Sequence, residues 1–320
     1  TRGRSFFFGL CRHSCIDTDG IYIDMKLIHF KLLLTAIFWG GTFIAGRMLS
    51  DHVAPFSASF LRFVIAAVPL LYMTYRIEGR LPPIQKETFF YLLLLGLTGV
   101  FLYNVFFFKG LRLIHAGRAS LVIANNPIFI AIASFFLFKE KLNTVKIIGI
   151  LVSVTGAMVA ISRGNLQGML TESIGRGELF IFFAVLSWVS YTLIGKRVMQ
   201  DCSAIEAVTY ASLTGAILLF PAALAEGMFT DIFDYSPANW FSLFYLGFFG
   251  TVLGFVWYYE GIKKLGPSKA SLFINFVPIS AIILAFLFLD EPITTSLLTG
   301  AAMVSLGVYL TNTGSLFQLR

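Results

Sequence analysis

Two prolines, Pro127 and Pro278, fall in the middle of long apolar runs, and both have amides nearby. Asn125 and Asn126 directly precede the first, and Asn275 lies about one turn before the second. A proline inside a helix brings no N–H and displaces the bond to the carbonyl four residues earlier. Here that frees the carbonyls of Ile123 and Ile274. In hydrocarbon such a carbonyl needs a partner, a cavity or water. Paired breaks with amides at mid-membrane depth suit a polar binding site for a small solute. The competing account is a pair of kinks that shape helix packing, with the asparagines bonding neighbouring helices. Pro69 and Pro221 stand at near-equivalent places without polar neighbours, so packing accounts for them.

Three charges also lie within apolar stretches: Arg62, Lys109 and Glu260. An ionisable group at such depth is a functional candidate by default. Lys109 and Glu260 sit near the ends of their runs, where snorkelling competes with a coupling or gating role. Arg62 is deeper and has no acid nearby in sequence; it suits neutralising a substrate carboxylate or anchoring helices. The aromatic residues beside polar or small neighbours are Trp39 before Gly40-Gly41-Thr42, Tyr103 beside Asn104, Trp188 and Tyr191, and the pair Trp257-Tyr258. Rings with a polar handle suit an amphipathic solute, against the alternative of an interfacial belt.

Enzyme signatures are absent: the chain holds no G-x-S-x-G, no H-E-x-x-H and no phosphate-binding loop. His13, His29, His52 and His115 all lie at or beyond the ends of apolar runs, so neither a metal nor a cofactor is expected. Cys11, Cys15 and Cys202 form no disulfide framework, and no second ligand pair follows the Cys11–Cys15 spacing. Without a nucleotide site, any transport must run on an ion gradient or downhill.

These residues have to be held by membrane-spanning helices. Apolar residues make up 57% of the 320 and charged residues 13%, where soluble domains carry roughly 25% charged. The net charge of +7 resides in short loops, where it reports topology rather than nucleic-acid binding. A span needs about 20 apolar residues, and ten candidates satisfy this: 30–48, 56–75, 88–111, 118–138, 145–162, 178–198, 204–226, 239–262, 269–289 and 295–313. With the N-terminus in the cytoplasm, the outer segments keep only Arg47, Arg112, Arg118, Arg163 and Arg176, and most Lys and Arg fall inside. The basic loop at 112–118 is the exception.

The chain also contains itself twice. Residues 96–156 align on 247–307 without a gap. Ala119-Ser120-Leu121 meets Ala270-Ser271-Leu272, Pro127-Ile128 meets Pro278-Ile279, Glu140 meets Glu291, and Gly149 and Gly156 meet Gly300 and Gly307. Lys109 and Glu260 are partners in this alignment. Five spans per half is an odd number, so the second half threads the bilayer opposite to the first. The expected fold is an all-α membrane protein, ten transmembrane helices arranged as two five-helix inverted repeats. Its divisions are a tail over 1–25 (Met25 is a plausible true start), a first repeat over 26–163, a linker over 164–176, a second repeat over 177–314 and a tail over 315–320.

The doubled pattern Ala119-Ser120, Pro127, Glu140 and Ala270-Ser271, Pro278, Glu291, with Trp39-Gly40, Arg62 and the paired glycines, resembles the EamA-type proteins of the drug/metabolite transporter superfamily over residues 30–313. The resemblance implies termini inside and a central cavity lined largely by spans three, four, eight and nine. It also implies a secondary transporter of the bacterial inner membrane that exports amino acids or related metabolites by alternating access; other members move drugs, sugars or nucleotide derivatives. Lys109 and Glu260 depart from the small apolar residue expected there. The expected partners are a small-molecule substrate and the lipid bilayer, with a second copy of the chain as a candidate and no nucleic acid. The rival readings are a broad-specificity drug exporter and, in another class, a receptor or intramembrane enzyme.

Overall fold

The computed structural model describes residues 18–79, 86–138, 144–161 and 175–316, and among these every regular element is helical. The expected tail at 1–25 lies largely outside the described residues, as do Glu140 and most of the linker at 164–176. Eight helices are long and apolar enough to cross a membrane: Lys26–Ser50, Pro55–Glu78, Thr88–Leu111, Ala116–Ala133, Arg176–Val198, Ala204–Ala225, Pro237–Leu265 and Lys269–Leu289. Two shorter apolar helices, Thr144–Ala160 and Thr295–Leu310, cover the remaining expected spans.

We number the main helices α1 (Thr18–Ser50), α2 (Pro55–Glu78), α3 (86–111), α4 (Ala116–Ile123), α5 (Asn126–Phe138), α6 (Thr144–Ile161), α7 (Arg176–Val198), α8 (Ala204–Ala225), α9 (237–265), α10 (Phe276–Leu289) and α11 (Thr295–Leu316). Their first turns expose N–H groups that need acceptors, and carboxylates from elsewhere supply several. Glu226, after α8, accepts from the N–H groups of Phe56 (2.8 Å) and Ser57 (3.0 Å) at the start of α2. Glu291, after α10, accepts from Ala116 (2.8 Å) and Gly117 (3.1 Å) at the start of α4. Ser203 and Glu206 cap α8 reciprocally.

Helices α6 and α11 form a close pair. A Cβ on Gly156 would stand 2.6 Å from Met303 and 2.8 Å from the Val304 nitrogen, and one on Gly307 would collide with the backbone at Ser153. Glycine alone permits that approach. The central helices pack as α1 against α9 and α10, α2 against α8 and α9, and α3 against α7 and α8.

Two departures from regular helix recur one repeat apart. Helix α3 is π-helical over Gly96–Leu102, and α9 is π-helical over Leu246–Leu253. The chain breaks between α4 and α5 at Ala124–Asn125, and the aligned stretch Leu272–Asn275 is a 3₁₀ turn before α10. Both prolines therefore lie in the first turn of a helix. There a proline's missing N–H costs little, so each opens a new helix instead of kinking a continuous one.

Candidate functional site

A π-helical turn shifts the hydrogen-bond ladder by one residue and leaves a carbonyl over, which in a membrane must be satisfied by the protein itself. Three side chains do this. Nδ2 of Asn104 donates to the carbonyls of Gly99 (3.2 Å) and Val100 (2.9 Å). Thr251 Oγ1 donates to Leu246 O (3.0 Å) and Trp39 Nε1 donates to Gly250 O (3.0 Å).

Two of those side chains also hold Arg62. Its Nη1 donates to Oδ1 of Asn104 (2.7 Å) and its Nε to Oγ1 of Thr251 (2.9 Å). The guanidinium, 2% exposed, is thus fastened to the π-helical stretch of each half. It lies 5.4 Å from the ring of Phe63 and 5.8 Å from that of Phe255. A Cβ on Gly250 would sit 3.3 Å from Nη2 and 2.7 Å from Thr42, so glycine leaves the room this arrangement uses.

Arg62 borders a central cavity of about 20 Å³ together with Trp39, Thr42, Tyr103, Asn126 and Trp188, and with the apolar Phe43, Ile123, Phe255, Ile274 and Val277. That is room for about one water. Both halves of the chain contribute to its wall. Among the wall residues, Oδ1 of Asn126 is buried without a hydrogen-bond partner. The rings enclose the space: Trp39 meets Trp188 edge-on at 5.2 Å, and Tyr103 lies 5.1 Å from Trp188.

Aromatic layers separate this cavity from either face. Toward the end of α1 at Ser50, Phe43 meets Phe107 edge-on (5.2 Å) and Tyr103 stacks on Phe107 (5.8 Å). Beyond them Arg47 donates to Leu111 O (2.6 Å) and Arg112 to Ser50 O, tying α1 to α3. That face opens into a vestibule of about 720 Å³ whose wall carries Asp51, His52, His115, Asp231, Asp234, Asp290 and Glu291. Toward the opposite face, Tyr258 packs on Trp39 (5.2 Å) and Trp188 (5.7 Å), and Tyr259 Oη donates to Tyr191 O (3.1 Å). Lys31 and Glu260 pair there at 2.7 Å, linking α1 to α9. Tyr258 and Phe107 are aligned positions of the two halves.

The residues singled out in the sequence divide on this geometry. Trp39, Arg62, Tyr103 and Asn126 line the cavity, and Asn104 stands behind Arg62. Tyr191 and Tyr258 lie in the layer beneath it. Asn125 turns away: its Oδ1 accepts from Ser153 on α6 (2.9 Å), and its Nδ2 donates to Leu121 O (2.9 Å). Asn275 keeps a buried Oδ1 without a partner but is not in the cavity wall. Trp257 tilts against Phe38 at 6.1 Å. Pro127 and Pro278 are helix openers. Lys109 lies over the ring of Phe56 (5.2 Å) near the vestibule end, while Glu260 pairs with Lys31 at the other end. Sequence reasoning missed Thr251 and Phe255; a lone Thr and one Phe of 35 carry no signal until the π-helical turn places them. Among the described residues, no group of His, Cys, Asp and Glu could hold a metal ion.

Comparison with known proteins places this arrangement. The family model described as "EamA-like transporter family" matches residues 26–162 and 175–313. The uncharacterised transporter YyaM of Bacillus subtilis (strain 168) is 31% identical over 282 residues, 88% of this chain and 92% of its own. YetK of the same organism, also an uncharacterised transporter, is 32% identical over 277 residues, 85% of this chain and 82% of its own. A WAT1-related chloroplastic protein of Arabidopsis thaliana is 25% identical over 92% of this chain and 70% of its own. A solved crystal structure superposes with a TM-score of 0.64 at 20% identity, covering 90% of this chain and 98% of that one, a likeness of fold alone.

Proposed function

Because this chain belongs to the EamA-like transporter family, we propose that it is a secondary transporter that exports a small amphipathic metabolite, an amino acid in the first instance, by alternating access. The observation that carries this reading is the central cavity. It is walled by both halves, bordered by a buried cation and an unpartnered amide oxygen, and sealed toward each face by aromatic layers. At about 20 Å³ it is too small for any metabolite, so loading requires the helices around it to separate. Two five-helix inverted repeats, with α6 and α11 completing ten spans, would separate by rocking about the cavity.

We place both termini in the cytoplasm, supported by the Lys and Arg distribution, and the multi-pass chain in a bacterial inner membrane, as the family resemblance implies. That orientation assigns the vestibule to the outside, and residues from four separate outer loops do share that one mouth. The fold suits a drug exporter as well. An exporter of organic cations uses a carboxylate at the site, however, and Glu260 is held by Lys31 away from the cavity.

Uptake of a panel of radiolabelled amino acids into proteoliposomes, with and without an imposed proton gradient, tests the proposal. Saturable flux of one or a few is expected, and Asn126→Ala should sharply reduce it for amino acids while the protein still inserts and folds. Absence of flux for the whole panel would leave the fold standing and remove amino acids as the substrate.

A further inference from the structure

The wall of the central cavity carries a charge without a counter-charge. Arg62 is 2% exposed, and its partners Asn104 and Thr251 are both neutral. Among the described residues no carboxylate pairs with it, and four glutamates of the neighbouring helices are engaged elsewhere: Glu260 by Lys31, Glu178 by Arg118, Glu226 by the start of α2, Glu291 by the start of α4. A buried charge is expensive unless it is paired, and at mid-membrane depth the expense marks function. Anchoring two helices explains two of the guanidinium's five N–H groups; neutral residues would do that work at lower cost. Arg62 borders the cavity together with Asn126, whose buried Oδ1 has no hydrogen-bond partner.

We infer that Arg62 is the anion-recognising residue of the central site, and that the transported solute is a small organic carboxylate carrying a hydrogen-bond donor. The solute's carboxylate takes the guanidinium N–H groups that Asn104 and Thr251 leave. Its ammonium or hydroxyl group donates to Oδ1 of Asn126, an acceptor that no protein group satisfies. Trp39, Tyr103 and Phe255 receive the apolar part. The order of the two polar contacts fixes the solute's direction in the site: anionic end toward α2 and the π-helical turns, donor end toward α5. This deepens the proposed function and rests on it for the word "transported"; the anion site itself does not.

The test compares three forms of one solute skeleton: leucine and phenylalanine, their amides, and the 2-keto acids made by replacing the amine. Flux into proteoliposomes and the melting temperature of the purified protein are measured for each. Acids should move and raise the melting temperature, and amides should compete on the order of 100-fold more weakly, since they give up hydrogen bonds between charged groups. Keto acids should bind but gain nothing from Asn126, so Asn126→Ala should erase the preference for amino over keto acid and keep the preference for acid over amide. Arg62→Gln should erase the acid preference; where it fails to fold, Arg62→Lys, which keeps the charge but not the fork of N–H groups, should narrow it several-fold. Amides moving as well as acids would leave the transporter and overturn the anion site. If nothing moves, amino-acid export falls, and the anion site then stands or falls on whether carboxylates still stabilise the wild type and not Arg62→Gln.

Discussion

Thr251 accepts a hydrogen bond from Nε of Arg62 at 2.9 Å while donating its own proton to Leu246 O at 3.0 Å. One hydroxyl therefore satisfies a π-helical carbonyl in the second half and holds a guanidinium from the first. Valine has the same shape and neither function. Thr251→Val should leave the Leu246 carbonyl and the Arg62 Nε without their bonds, costing about 1–3 kcal/mol as buried groups lose their partners. Thr251→Ser should retain most of the stability and the transport. Melting in detergent, read alongside proteoliposome flux, checks this; a Val variant as stable and active as wild type would contradict the role assigned to the hydroxyl.

Glycines that look alike in the sequence should respond differently to a single methyl group. On Gly307 a Cβ would run into backbone at Ser153 and Gly149, which cannot yield without moving α6. On Gly117 it would meet Ile282 at 3.4 Å, an ordinary contact. Gly307→Ala should therefore cost about 2 kcal/mol or more through overpacking and lower the yield of folded protein. Gly117→Ala should stay within about 1 kcal/mol of wild type, since a helical glycine replaced by alanine regains propensity. Equal losses in the two variants would mean that the α6–α11 contact is not as close as described.

The Lys31–Glu260 bridge joins α1 to α9 at the face opposite the vestibule, with both side chains partly exposed, at 26% and 32%. Such pairs contribute little, about 0–1 kcal/mol. A double-mutant cycle of Lys31→Met and Glu260→Gln should give a coupling energy below about 1 kcal/mol, shrinking further in high salt. If the bridge also helps hold that face shut, breaking it should raise the rate of flux without changing which solutes compete.

Much of the frame was legible in the residues. The family resemblance rested on the doubled pattern around Pro127 and Pro278, and the apolar spans announced an all-helical membrane chain. Arg62, Tyr103 and Asn126 stood out because a charge or amide in such a run needs a reason. The pairing of side chains was not legible. Nothing in the string distinguishes Asn125, which turns to Ser153, from its neighbour Asn126, which meets the cavity; one residue is a rotation of about 100° on a helix, and the break at Ala124–Asn125 decides which way each faces. The π-helical turns were equally hidden, since no residue type in Gly96–Leu102 or Leu246–Leu253 marks a shifted ladder. Without that shift, Thr251 has no claim to attention.

Cys202 gives a pH-dependent prediction at a point outside the spans, in the turn between α7 and α8. Burial pushes its thiol up, and the carboxylates of Glu206 and Asp201 push further, to about 11, with Lys263 opposing them. The thiolate is the reactive form, so raising the pKa lowers its fraction at neutral pH. In a background with Cys11→Ser and Cys15→Ser, alkylation of Cys202 by iodoacetamide at pH 7.5 should be on the order of 100-fold slower than that of a free thiol with a pKa near 8.5. The rate should then climb close to tenfold per pH unit through pH 10 instead of levelling off near 9. Removing Glu206's charge with Glu206→Gln should move the profile toward lower pH, because a like charge no longer opposes ionisation. A rate that saturates below pH 9 in the parent would show that the thiol is not held in this environment.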